Sequence, residues 1–299
     1  MDPITHFISG IVAKNYLTKK EGIFTTIIYG SVTMSPDIDN FVGTFGTPFT
    51  YILHHRGFTH SFIGGFLLAI ILFLISKMIK YEDKNVLRNF YILILIHIFL
   101  DIMTSYGTQI LLPFSNSRIA LDSMFIIDPI YLILLVILYF TAKKYKKLIF
   151  LSWLFIFIYP TFNFFIKSTY EMILAIRENK KIYVTAAPLS PLFWKVIRED
   201  EKNYYVNVTF LDGDLTEYKK LSPETLILLE KDNNLKIFKW FLRFPYGEEK
   251  IINGEKYLYI RDLRFSILGR ESPFTLRLIK KDNTLNYKMG NFNSSITID

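Results

Sequence analysis

Residues 51–62, YILHHRGFTHSF, gather three of the chain's five histidines, His54, His55 and His60, with Arg56, Gly57 and the hydroxyls of Thr59 and Ser61. Imidazole nitrogen suits zinc, manganese or iron, and a guanidinium offers a planar fork to phosphate or carboxylate. The remaining histidines are His6 and His97, and His97 is followed four residues later by Asp101 in IHIFLDIMTS. On a helix that spacing sets His97 and Asp101 on one face, about one turn apart. Two further carboxylates, Asp37 and Asp39, occur in the turn-forming run SPDIDN. Carboxylate oxygen with imidazole nitrogen is the ligand set of hydrolytic zinc and manganese centres. With no cysteine in the chain, thiolate metal sites, disulfides and cysteine nucleophiles are excluded. No Gly-rich phosphate loop or GxSxG elbow occurs, and Ser61 beside His60 is adjacency in sequence, not triad geometry.

Each of these residues also has a plainly structural reading. His97 and Asp101 can pair with each other inside a helix bundle, although ionisable groups within membrane segments are functional by default. Asp37 and Asp39 can be turn and cap residues, His6 an interfacial histidine, and Arg56 an interfacial anchor. Gly57 allows a tight turn between His55 and His60, and Thr59 or Ser61 suits the N-cap of the helix that follows. What favours chemistry is convergence, and that depends on the elements that carry the residues.

Half of the chain is hydrophobic (51%), yet it holds 35 Lys+Arg against 27 Asp+Glu, a mixture suited to one soluble globule only if the two kinds were interleaved. They are segregated: residues 58–166 are dominated by Leu, Ile and Phe, and residues 180–299 are mixed and charged. This pattern predicts an α-helical polytopic membrane domain of about six spans followed by a small soluble α+β domain. The expected spans are 5–17, 22–34, 59–78, 90–112, 124–142 and 148–167, giving a membrane domain over 1–168, an amphipathic linker helix over 169–187 and the α+β domain over 188–299. Lys19/Lys20, Lys77/Lys80/Lys84/Arg88 and Lys143/Lys144/Lys146/Lys147 occupy alternate connections. The positive-inside rule makes those connections cytoplasmic, so the histidine stretch, SPDIDN and the C-terminal domain are expected on the non-cytoplasmic face of the cell membrane. The net charge of +8 is therefore read as topology, and no nucleic-acid partner is expected. In the C-terminal part FWKVIRED, NYYVNVTFL, EKYLYIRDLRFSIL, TLRLIKK and LNYKMG read as strands, LDGDL as a hairpin turn, and SPETLILLEKDN and KIFKWFLRFPY as short helices.

Taken together, Thr5–His6, PDID at 36–39, HRGFTHS at 55–61, HIFLD at 97–101 and a later Asp128–Pro129 resemble, in that order, the YdjM-like family of membrane-bound metal-dependent hydrolases. The resemblance covers roughly residues 1–165, and the C-terminal domain looks like the soluble tail carried by a subset of the family. It implies a divalent-metal site built from His6, Asp37, Asp39, His55, His60, His97 and Asp101, with His54 outside the motif.

The expectation is a membrane-embedded hydrolase holding one or two divalent ions, zinc foremost and manganese or iron as alternatives. Metal-activated water would attack an ester or phosphoester of a lipid or lipid-linked substrate, with Asp39 as base and Arg56 orienting the anionic group. The bilayer is the expected partner; the oligomeric state is not readable. The rival is a transporter or channel with His97 and Asp101 as an ion pathway, which requires polar groups continuing through the membrane. Beyond Asp101 there are Thr104, Ser105 and Gln109, but the later segments are almost purely apolar, which favours the enzyme. A third reading makes the membrane part an anchor for an active C-terminal domain from about Pro188.

Overall fold

In the computed structural model, which describes residues 1–209, 211–266 and 272–297, the first helix begins where the sequence supplies a cap. Asp2 accepts the Thr5 N–H at 3.0 Å and Pro3 occupies the first turn of α1 (Pro3–Leu17). Helix α2 (Ile23–Met34) returns against it. Their approach requires Gly10, where an added Cβ would stand 2.2 Å from Thr33 Oγ1 and 2.7 Å from the Tyr29 carbonyl oxygen. A 3-10 turn at Ser35–Asp39 leads to two short helices, α3 (Asn40–Phe45) and α4 (Pro48–His54), the latter capped by Thr47. A second 3-10 turn, Phe58–His60, precedes α5 (Phe62–Met78), whose N-cap is Ser61, accepting the Gly64 N–H at 2.9 Å. Helices α6 (Val86–Ile102), α7 (Pro129–Lys144) and α8 (Ile149–Glu178) complete the helical part.

Helix α6 packs on α2 and α5, and α1 packs on α7 and α8. Their common core holds Val12, Tyr29, Leu93, Ile94, Tyr131 and Ile156. The outward faces stay apolar: Leu67, Ile71 and Leu74 on α5, Ile133, Ile137 and Phe140 on α7, and Ile158, Phe162 and Phe165 on α8 are all exposed. Apolar surface on that scale marks contact with a membrane or another protein.

The six apolar segments are helical, but the expected polytopic domain is corrected by their lengths. Among the described residues only the helix over Lys146–Glu178 is long and apolar enough to cross a membrane. A second crossing exists only if Pro48–His60 and Phe62–Met78, bent by 69° to each other, count as one broken span. The other helices have 12 to 17 residues. At 1.5 Å per residue they reach about 18–26 Å, against about 30 Å of hydrocarbon. The expected spans 90–112 and 124–142 were longer because they included residues beyond Ile102 and before Pro129 that are not helical. The orientation drawn from alternating basic clusters presumed six crossings and loses its basis with them.

Two antiparallel meanders form the C-terminal part. The first comprises β1 (Lys181–Ala186), β2 (Trp194–Glu199), β3 (Asn203–Val208) and β4 (Leu211–Lys219). Helices α9 (Pro223–Leu228) and α10 (Asn233–Phe241) lead to the second: β5 (Pro245–Ile252), β6 (Glu255–Asp262), β7 (Leu276–Lys281), β8 (Thr284–Met289) and β9 (Phe292–Thr297). Three local expectations change. Residues 169–178 continue α8 instead of starting a separate linker helix, and 181–186 form a strand paired with β2. LDGDL opens β4, so the hairpin turn lies before it. The strand expected from EKYLYIRDLRFSIL ends at Asp262 and passes into a 3-10 turn, Leu263–Phe265; its last two residues lie outside the described residues.

This part is seated on α4 and on the irregular connection 103–127. Phe49, Ile52 and Tyr106 are buried in one cluster with Phe238, Phe241 and Leu276. Arg243 Nη2 pairs with Asp122 Oδ2 at 2.9 Å, and Arg264 Nη1 donates to the Ser105 carbonyl oxygen at 3.2 Å.

Candidate metal centre

Helix α6 presents His97 and Asp101 one turn apart, both fully buried. His97 Nδ1 donates to the Thr33 carbonyl oxygen at the end of α2, 2.7 Å away, which leaves Nε2 as the free nitrogen of the neutral ring. His60, also fully buried in its 3-10 turn, has Nδ1 3.0 Å from Asp39 Oδ2, so its Nε2 too points away from the carboxylate that holds the ring. The two Nε2 atoms meet at 3.0 Å.

Around this meeting point Asp37 Oδ1, His60 Nε2, His97 Nε2 and Asp101 Oδ2 lie within 4.8 Å of one another. His60 Nε2 is 3.5 Å from Asp37 Oδ1 and 3.3 Å from Asp101 Oδ2; His97 Nε2 is 3.7 and 3.4 Å from the same atoms. Four ligands about 2.0–2.1 Å from a tetrahedral ion stand ~3.3 Å apart. The observed separations bracket that value. With no ion present, a protonated His60 can donate Nε2–H to His97 across this 3.0 Å contact; with both rings neutral and protonated at Nδ1, the two Nε2 lone pairs face one another and a cation between them would accept both. Arg56 Nε forms an ion pair with Asp101 Oδ2 at 3.0 Å, yet that oxygen lacks a hydrogen-bond partner and remains open to an ion. By spacing and donor chemistry, these four residues fit a divalent metal.

The other candidates surround the four donors. Asp39 has both oxygens engaged: Oδ1 with His55 Nδ1 at 2.8 Å, and Oδ2 with the Arg56 N–H at 2.9 Å, His60 Nδ1 at 3.0 Å and Thr59 Oγ1 at 3.1 Å. A second group of metal-capable atoms, from Asp37, Asp39 and His55, shares Asp37 with the first. Burial opposes charge on both aspartates, but hydrogen bonds from His60, and for Asp39 from His55 as well, hold both carboxyls well below the usual range. His6 lies outside the four donors, its ring stacked on His97 with centroids 3.6 Å apart and its Nε2 3.2 Å from Asp101 Oδ1. His54 is exposed at the end of α4. Asp128 caps α7, accepting the Tyr131 N–H at 3.0 Å.

Arg56, 2% exposed, takes the left-handed backbone conformation with φ 56°. Its N–H on Asp39 and its carbonyl, which accepts the Gln109 N–H at 3.0 Å, hold it there. The turn therefore places its unusual φ at Arg56, while Gly57 is needed for space: a Cβ there would stand 2.5 Å from the His54 carbonyl oxygen. Arg56 Nη1 donates to Thr104 Oγ1 at 2.6 Å and to the Asp101 carbonyl oxygen at 3.2 Å. Thr104 and Gln109, counted above as pathway groups, are bonded to backbone: Thr104 Oγ1 to the Asp101 carbonyl oxygen, Gln109 Nε2 to that of Leu53.

Beyond Arg56 lies a cavity of about 290 Å³ lined by His55, Arg56, Thr104 and Tyr106 on one side and by Arg264 and Phe274 on the other. His55 is stacked on Tyr51, centroids 4.7 Å apart, and with Nδ1 on Asp39 its Nε2 is the nitrogen left without a partner among the described residues. Sequence reasoning missed the Thr33 carbonyl, since a backbone acceptor carries no residue signature. It also missed Thr104 as a partner of Arg56, although Thr104 follows Asp101 by three residues, the interval that shares a helix face.

A family model described as YdjM inner membrane protein matches residues 1–170. A curated relative from Bacillus subtilis (strain 168), described as uncharacterized protein YfhP, is 29% identical over 142 residues, covering 43% of this chain and 42% of that protein. The matched region is thus less than half of that relative's length. No solved structure matches.

Proposed function

Because this chain belongs to the YdjM inner membrane protein family, we propose that it is a membrane-associated, divalent-metal-dependent hydrolase of an ester or phosphoester in a lipid or lipid-linked molecule. The observation that carries the reading is the spacing of Asp37, His60, His97 and Asp101. These residues would hold one ion, zinc by donor set, with manganese or iron as alternatives. When bound, such an ion supplies Lewis acidity and acidifies a coordinated water. A stoichiometry of two would point to the second group, Asp37, Asp39 and His55, which shares Asp37 with the first.

The surrounding residues divide the remaining work. Asp39 was the expected base, but with both oxygens engaged it is assigned to positioning, fixing His55 and His60. Proton transfer falls to His55 through its unpartnered Nε2 at the cavity. Arg56 orients the anionic group of the substrate. Of the four donors only Asp37 reaches the surface, with 14% of its side chain exposed. Ile38, Phe41, Phe45 and Phe58, in its turn, in α3 and in the second 3-10 turn, are 57, 62, 87 and 49% exposed. Exposed apolar side chains in these segments support a lipid or lipid-linked substrate.

A structural ion is the second reading, favoured because four protein donors complete a tetrahedron by themselves. To decide, the purified protein is analysed for metal and assayed on p-nitrophenyl esters and bis(p-nitrophenyl) phosphate. The hydrolase reading expects turnover that chelation abolishes, and loss of metal in His60→Ala and Asp101→Ala. Undiminished metal in both variants sinks the site. Bound metal without turnover, and unfolding on chelation, gives the structural ion instead.

A further inference from the structure

The C-terminal part has no histidine or cysteine, yet it is seated against the candidate centre. The cavity beyond Arg56 is closed from that side by Arg264 and Phe265 at the end of β6 and by Pro273 and Phe274 before β7. The helical part supplies Tyr51, Tyr106 and Phe125 to the opposite walls. Rings therefore face each other across about 290 Å³, near the lower limit of small-ligand sites.

The two arginines at this cavity differ in what they have left to give. Arg264 is committed through its terminal nitrogens, which pair with Asp262 Oδ2 at 3.0 Å and donate to the carbonyl oxygens of Ser105, Tyr106 and Phe241, while its buried Nε makes no hydrogen bond. Its work is to tie the two parts of the chain together. Arg56 uses Nη1 and Nε internally, while its Nη2 has no partner among the described residues and its guanidinium lies 5.1 Å from the Tyr106 ring. Among aromatic walls the cavity thus has Arg56 Nη2 as an unspent terminal guanidinium donor, both terminal nitrogens of Arg264 being taken. That suits a single oxyanion joined to an apolar body, and it suits neither a polyanion nor an uncharged polar solute.

We propose that the C-terminal domain builds the substrate cavity of this protein, and that the ligand is an amphiphile with one oxyanion at Arg56 and its apolar body against Phe274 and the facing tyrosines. The proposal rests on the reading of Arg56 as the anion-orienting group, and deepens it by giving the C-terminal domain a role in recognition. Two chemistries supply such an oxyanion, a phosphodiester and a carboxylate.

The test is calorimetric titration of the full-length, chelator-treated protein with dihexanoyl phosphatidylglycerol, phenylacetate and uncharged benzyl alcohol. At least one anionic probe is expected to bind, and benzyl alcohol at least tenfold more weakly; which anion binds identifies the chemistry. Phe274→Ala is expected to weaken binding at least tenfold, and Phe274→Leu to restore most of it. Ser105→Phe, which fills the cavity from the helical side without removing a wall, is expected to abolish it. Absence of binding by both anions, equal binding of benzyl alcohol, or parental affinity in Phe274→Ala or Ser105→Phe overturns the proposal. Since no metal is present in the titration, such a failure leaves the hydrolase reading to be judged by metal analysis of His60→Ala and Asp101→Ala.

Discussion

Asp39 holds His55 and His60 by their Nδ1 atoms, so one carboxylate sets the direction of two imidazoles. Asp39→Asn keeps the volume and removes the charge-assisted hydrogen bonds. Metal affinity should fall about 10–100-fold, the usual cost of losing such a supporting partner, as read by competition with a chromogenic chelator. The same contacts govern acid stability. Asp37 and Asp39 have folded-state pKa values depressed below those of the unfolded chain. Their stabilisation is fully present above the unfolded value of about 4 and is lost as the pH falls through the folded values. The thermal midpoint of metal-free protein should therefore drop below about pH 4, and drop less in Asp39→Asn. At this scale the sequence was most readable where spacing alone dictates geometry: the four-residue step from His97 to Asp101 on one helix face. The division of labour between Asp37 and Asp39 was not readable, because two aspartates in one turn differ only in which partners the folded turn brings to them.

Among the elements, the crossing of α1 and α2 reaches the site through its far end. Gly10 permits the approach that keeps Thr33 beside α6, and the Thr33 carbonyl aims His97. Gly10→Leu should cost about 1–3 kcal/mol by overpacking and weaken metal binding together with stability, measured by thermal unfolding with and without metal. Ser61→Ala removes the cap of α5 and the bond from its hydroxyl to the Phe58 carbonyl oxygen, and should cost about 1–2 kcal/mol, read by thermal unfolding. Hydropathy located all six helices because apolar runs are local, but it overcounted membrane crossings. Crossing depends on unbroken helical length, and the run ending at Leu112 stops being helical at Ile102, where 103–127 turns away to meet the C-terminal part. The prolines at 188 and 191 suggested a domain boundary, whereas β1 already belongs to the first sheet. A strand is assigned by its partner, and the partner β2 lies beyond those prolines.

On the scale of the whole molecule, the two parts share a core. Phe49→Ala should destabilise the protein by about 3–5 kcal/mol and move one common unfolding transition, followed by circular dichroism and by intrinsic fluorescence. A fragment starting at residue 188 would lack β1 and the covering side chains of α4, and should not fold as a soluble unit, contrary to the anchor reading. The Phe49 ring lies edge-on to Tyr287 in β8 and to Phe292 in β9, with centroids 5.9 and 5.5 Å away. His55 and Arg56 follow α4 directly, so the turn that carries them leans on a helix whose packing partners, α10, β8 and β9, lie far along the sequence. In chain order that helix precedes all of these partners, so its aromatic face is covered only once they have folded onto it. A chain interrupted before Phe292 would carry every one of the four donors while lacking part of the surface that holds their neighbours in place.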